Sequence, residues 1–272
     1  MTIERESEYE SVAGGSFGGA FARIVRLLSS FGRATVILCA ALGSFPAAFG
    51  RRNSRDAFFR ELYAAGIGIL PVVTTVSLFV GMILALQVGL ELRRFNQEIY
   101  LGAAVMVSLL REFGPFSCGV CLAACAGSAI AAELGTMKVG EEIAALEIMA
   151  IPPIRFLASP RIVALAVIAP ILGFYCSVIG LVGGGIVGSM QLGVDFSQYM
   201  TSALSIATVK DLYVGLFKAL WCGLVVGTVA VFEGFSADGG ATGVGRATQR
   251  SVIVNFLLIL MFGYIITRIC YR

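Results

Sequence analysis

Residues 133–161 read E-L-G-T-M-K-V-G-E-E-I-A-A-L-E-I-M-A-I-P-P-I-R-F-L-A-S-P-R, a polar island between two long apolar runs. Gly135 reads as the stop of one helix and Thr136 as the cap of the next. Val139, Ile143, Leu146 and Ala150 then fall on one narrow helical stripe, with Lys138, Glu141 and Glu142 off it. Pro152 and Pro153 end the segment, because proline cannot donate to a helical ladder and restricts the residue before it. The pattern predicts an amphipathic helix at 136–150 between two membrane spans. Such a helix either docks a partner on one side of the membrane or merely ties the spans together.

The rest of the chain is a membrane protein by composition. Of 272 residues, 58% are hydrophobic and 14% charged, and the mean hydropathy is +0.90; soluble domains carry about 25% charged residues. Several runs exceed the roughly 18 apolar residues of a spanning helix, whereas a barrel would show weak alternation. The fold class is therefore all-α and polytopic. Cys118, Cys121 and Cys125 have a spacing that resembles a metal site, but they sit in an apolar helix of a chain with no His. They read as small packing residues, and no metal is expected.

Outward from the island, residues 1–19 read as a disordered leader. From Ala20, Arg23, Arg26, Ser30 and Arg33 share one helical face, and Ile24, Leu27, Leu28 and Phe31 the other. That is a basic amphipathic helix lying in the membrane interface; with the basic connector it fills residues 20–62. The apolar run 34–49 is re-entrant or continues the interfacial element. Five spans follow within residues 63–272: 64–92, 99–132, 162–190, 212–232 and 251–267. A polar loop with room for a short helix, 190–208, joins the third to the fourth, and a Gly-rich loop, 233–250, joins the fourth to the fifth. Gly180, Gly184 and Gly188 make a small-residue packing face in the third span. Lys and Arg concentrate on the side of the island and the N-terminus, which predicts a cytoplasmic N-terminus and island.

Arg111 and Glu112 lie about a dozen residues into the second span, just before Pro115. Pro115 cannot donate to the Arg111 carbonyl, so a bend is expected there. Charges at that depth need a partner or a wet cavity. They read as a polar patch of a substrate cavity or as a structural ion pair. Being adjacent, they point different ways and need not pair with each other. Lys218 is either a carboxylate's partner or a snorkelling cation. The loop 238–246 lacks the G-K-[ST] of a phosphate loop. No His/Cys, paired-Asp or metal-ligand cluster argues for catalysis.

In order along the chain, G-M-I-L-A-L-Q (81–87), S-L-L-R-E-F-G-P (108–115), G-S-A-I-A-A-E-L-G-T-M-K-V (127–139), E-E-I-A-A-L (141–146), P-P-I-R-F-L-A-S-P-R (152–161), D-L-Y-V-G-L-F-K (211–218) and G-G-A-T-G-V-G-R-A-T (239–248) resemble the MlaE/YrbE-type permeases. These are the membrane subunits of MCE-associated ABC lipid transporters. The resemblance spans about 21–267. It implies a homodimer in the bacterial inner membrane, a cytoplasmic ATPase subunit and a periplasmic MCE-domain protein as partners, and a phospholipid or similar amphiphile as substrate. It implies no catalytic residue, no cofactor on this chain and no nucleic-acid partner. Carried over by motif, a lipid cavity would be lined by Leu84, Gln87, Val88, Glu91, Leu92, Phe95, Arg111 and Glu112. The ATPase would dock on Glu133, Lys138, Glu141, Glu142, Leu146, Glu147 and Met149. The sequence departs from the family at Ala124 and Cys125 (often Gly-Arg), at Glu142 and Ala144 (usually Gln and Asp), and at Gly263 (often Asp). The competing reading is a stand-alone secondary carrier or channel, which would favour paired repeats and ion-binding broken helices; no internal repeat is visible. A lipid-modifying enzyme would need a catalytic cluster that the chain does not present.

Overall fold

The computed structural model describes residues 32, 35–41, 43 and 52–271. The leader and the basic amphipathic helix expected from Ala20 lie outside the described residues. Of the short apolar run after them, residues 35–41 are helical. Ala41 is buried there, and its carbonyl accepts from Ser159 Oγ at 2.8 Å.

Among the described residues, five helices are long and apolar enough to cross a membrane: Arg55–Arg94, Glu98–Val139, Ile154–Gln191, Val209–Phe235 and Gly240–Cys270. We number them spans one to five. Odd connectivity places the short helix Glu142–Ile148 and the turn between spans four and five at one end, here the island end. The helix Phe196–Ile206 and Tyr271 lie at the other. In span one a turn at residues 67–69 precedes the main helix, and Pro71 sits in that helix's first turn, where a missing N–H costs nothing.

Small residues set how close the spans come, as close helix packing in lipid requires. In span one Val73, Ser77, Gly81, Ala85 and Gly89 form the buried stripe. A Cβ on Gly81 would lie 1.9 Å from the carbonyl oxygen of Gly180 in span three, so the two backbones touch. Gly184, expected as part of a packing face, accommodates the Tyr199 hydroxyl, which a Cβ there would meet at 2.6 Å.

Several boundaries differ from the sequence reading, span one among them, which begins at Arg55 and not at 64. Span two runs through Gly135 and Thr136 to Val139. Gly135 is not a stop; it is buried where Ala237 and Val244 approach. Thr136 does not cap either, since its hydroxyl donates to the Ala132 carbonyl at 2.8 Å. The break falls at Gly140–Glu141, with Glu141 in the left-handed region at φ 59°, and the short helix is Glu142–Ile148 rather than 136–150.

The Gly-rich stretch 233–250 is mostly helix, not loop. Span four continues to Phe235, and Gly239 and Gly240, at φ 88° and 73°, turn the chain directly into span five. Gly243, Ala247, Ser251 and Asn255, four residues apart, form that helix's buried seam. Glycine's weak helix propensity misleads here because packing against span two outweighs it.

The 190–208 loop contains the helix Phe196–Ile206. Its N-cap is Asp195, whose carboxylate accepts from the Ser197 and Gln198 amides at 3.0 and 3.3 Å. Tyr199 is buried and donates to the Leu181 carbonyl at 3.2 Å, and burial raises its phenol pKa.

Gly81→Ala should destabilise the protein by about 1–3 kcal/mol, the usual cost of forcing extra volume into packed backbone. Gly263→Ala, whose new methyl meets nothing within 4 Å, should not. Thermal unfolding in detergent would separate them, and equal melting temperatures would refute the Gly81–Gly180 contact.

Candidate functional site

Span two is not one regular helix. Leu109–Phe113 is a π-helical turn, followed immediately by Gly114 and Pro115. Where a bend is expected at Pro115 the ladder widens into this turn, and the cause is local. Proline leaves the Arg111 carbonyl without its usual donor four residues on, and the ladder widens by one residue. The orphaned carbonyl is satisfied from span four: Lys218 Nζ donates to it at 2.7 Å.

The wide turn presents Arg111 and Glu112 to different partners. Arg111 Nε and one terminal nitrogen donate to Asp211 Oδ1 and Oδ2 at 2.7 and 3.2 Å. Asp211, 1% exposed, also accepts from Thr208 Oγ1 at 2.7 Å and from the Tyr271 hydroxyl at 2.5 Å. The Tyr271 ring lies 4.4 Å from the guanidinium carbon, a cation–π contact. This cluster ties span two to the start of span four and the end of span five.

Glu112 joins a second cluster deeper in span four. Lys218 Nζ donates to Glu112 Oε1 at 2.7 Å and to Thr267 Oγ1 at 2.5 Å. With the Arg111 carbonyl, that uses all three ammonium protons. Thr267 Oγ1 stands 2.6 Å from Glu112 Oε1 and 2.8 Å from the Gly263 carbonyl. Lys218 is buried, so it is a carboxylate partner and not a snorkelling cation. One positive and one negative charge meet in each cluster, which keeps both neutral where unpaired charge would be costly. Lys218, Asp211, Thr267 and Tyr271 were not among the expected site residues. The sequence signals were a Lys inside an apolar run and the motif 211–218, which holds both Asp211 and Lys218; nothing marked Thr267 or Tyr271.

Beside the second cluster lies a cavity of about 380 Å³, bounded by Glu112, Phe116, Lys218, Leu260, Gly263 and Tyr264, among others. Leu84, Gln87, Val88, Glu91, Leu92 and Phe95 of span one do not line it. Leu84, Val88 and Leu92 are half-buried against the cluster around Leu101 and Tyr199, while Gln87, Glu91 and Phe95 are exposed. Within this chain, then, the eight residues expected at the lipid site divide into a span-one face and two ion clusters on span two.

The island end carries the other set. Glu141, Glu142, Glu147 and Met149 are exposed around the short helix, and Lys138 is exposed at the end of span two. Ile143 is buried and Leu146 half-buried against the core, which anchors the helix. Glu133 has a structural partner: its carboxylate is 2.7 Å from an Arg161 terminal nitrogen. Arg161 is itself buried and donates to Glu61 at 3.0 Å and to the Leu157 carbonyl at 3.2 Å. One guanidinium thus joins spans one, two and three.

Fold and site together define a multi-pass α-helical membrane protein with paired charges inside its bundle and an exposed acidic helix at one end. Residues 58–269 match the family described as Permease MlaE, and the chain belongs to that permease family. It is 37% identical to a probable ABC transporter permease protein of Rickettsia typhi over 78% of this chain and 82% of that one. It is 34% identical to a probable ABC transporter permease protein of Rickettsia bellii, covering 92% and 95%. It is 33% identical to the intermembrane phospholipid transport system permease protein MlaE of Haemophilus influenzae, covering 91% and 98%. Permeases of this family are transport subunits and not catalytic enzymes.

Lys218→Met removes a buried ammonium from a Glu112 side chain that is 46% exposed, so it should cost about 1–2 kcal/mol, less than the loss found when a fully buried pair is broken. Adding Glu112→Gln should recover part of that loss, because no unpaired charge remains. Chemical unfolding of both variants in detergent tests the coupling, and strictly additive losses would rule it out.

Proposed function

We propose that this chain is the membrane permease subunit of an ATP-driven ABC transporter. In this reading it moves phospholipid, or a similar amphiphile, between the bacterial inner membrane and a periplasmic MCE-domain protein, and works as a homodimer. The observation that carries the reading is the near end-to-end similarity to a phospholipid transport permease, 33% over 91% of this chain and 98% of the relative. The chain supplies the membrane path. ATP hydrolysis belongs to a separate cytoplasmic subunit, because no phosphate-binding loop is present in the sequence.

The island end suits the coupling role. An ATPase seated there would meet the acidic rim of Glu141, Glu142 and Glu147 and the exposed side chains of Ile148 and Met149, 87% and 59% accessible. Displacement of the short helix would pass through Ile143 to the core. The Glu61–Arg161–Glu133 link would make the ends of spans one, two and three respond together. Transport would then follow from shape changes where the span-one face, Leu84 to Phe95, meets a second copy. Apolar side chains there would hold acyl chains, and Gln87 and Glu91 would face head groups.

Purification in mild detergent should return an ATPase subunit and phospholipid by mass spectrometry. Replacing Glu141 and Glu142 together by Lys should reduce ATPase recovery at least about tenfold, a loss worth about 1.4 kcal/mol. Undiminished recovery from that double variant would exclude docking at this helix. Ion-driven transport by the isolated chain would favour a stand-alone carrier.

A further inference from the structure

A second cavity, about 620 Å³, lies on the outer flank of span one, where its first helical segment meets span three. Its walls include Phe59, Tyr63 and Gly66 on one side and Ile168, Ile171 and Tyr175 on the other. Tyr175 brings the only side-chain hydroxyl among those six besides Tyr63. It is already engaged, 2.8 Å from Thr74 Oγ1. The volume falls in the range of small-molecule sites, roughly 300–1,000 Å³. An apolar groove of this kind suits a hydrocarbon chain and not ordered water, which needs several polar partners.

A cation lies one helical turn before the groove's first lining residue, Phe59. Arg55 is four residues before Phe59, and seven, eight and eleven before Leu62, Tyr63 and Gly66, so all five share one helical face. Arg55 is exposed and has no ion pair among the described residues. From Arg55 to Gly66 the helix rises roughly 16 Å at 1.5 Å per residue, close to half of the about 30 Å hydrocarbon core. The charge therefore sits at head-group depth when the groove spans one leaflet. Gly66 forms the floor: a Cβ there would meet Ile168 Cδ1 at 3.0 Å, and a larger residue would fill the channel.

We infer that this groove is a binding site for an anionic glycerophospholipid of the island-end leaflet, with its phosphate on Arg55 and one acyl chain along Phe59, Tyr63, Gly66 and Ile171. The site is separate from the Glu112–Lys218 cavity and from the Leu84–Phe95 face. It does not depend on the transport reading, because occupancy needs neither ATP nor another subunit.

The full chain in phosphatidylcholine nanodiscs would be doped with phosphatidylglycerol or phosphatidylcholine carrying a diazirine on one acyl chain. Adducts would be mapped by mass spectrometry after illumination. Groove residues Ile168, Ile171 or Tyr175 should be labelled about fivefold more by the anionic lipid, the ratio for about 1 kcal/mol per Arg at a membrane surface. Arg55→Gln should abolish that preference. Ile171→Trp, which fills the groove from an exposed position, should cut groove labelling and leave labelling at the exposed Leu257 of span five unchanged. The site is refuted by equal labelling at the groove and at Leu257, by equal labelling from the two lipids, or by crosslinks across Ile171 to a second protein.

Discussion

Charge inside a low-dielectric bundle must be cancelled where it stands, and the centre of this structure is arranged around that demand. Pro115 removes one backbone donor, the helix widens, and the adjacent Arg111 and Glu112 are turned toward different neighbours. Lys218 answers two needs at once. It neutralises Glu112 and caps the carbonyl that the proline left bare. Asp211 neutralises Arg111, with Thr208 and Tyr271 filling the remaining lone pairs. A buried pair by itself is weak support for stability. Here the pairs also hold the wide turn of span two against its neighbours, and that positions the cavity beside Glu112.

Close approach of the helices is the second constraint. Lipid gives no hydrophobic drive for one span to prefer another, so contact area and backbone proximity decide the packing. The Gly81–Gly180 contact and the seam of Gly243, Ala247, Ser251 and Asn255 meet that need in different parts of the bundle. Larger residues at those positions would push the spans apart and open the charged clusters to hydrocarbon.

The two ends of the bundle are built differently. At one end the helix Phe196–Ile206 is fastened by an N-cap and by buried Tyr199. At the other the short helix Glu142–Ile148 is held by one buried and one half-buried apolar residue, with its acidic face free. A turn at Glu141, in the left-handed region, separates it from span two. Beside it Arg161 ties the ends of spans one, two and three into one unit.

Much of this was legible in the residues alone. Runs of apolar side chains too long for a soluble core required spanning helices, since backbone groups in hydrocarbon must be satisfied within the helix. Pro115 marked the place where the ladder of span two becomes irregular. The ordered motifs pointed to the permease family. What the chain could not disclose by itself were partnerships across a hundred residues: Arg111 with Asp211, Lys218 with Glu112, Arg161 with Glu133. Nor could it show that a Gly-rich stretch is helix, or that Gly135 is a packing point and not a stop. Local propensity is worth under about 1 kcal/mol per residue, and close contact with a neighbouring span outweighs it. Only the tertiary structure decides which neighbour is there.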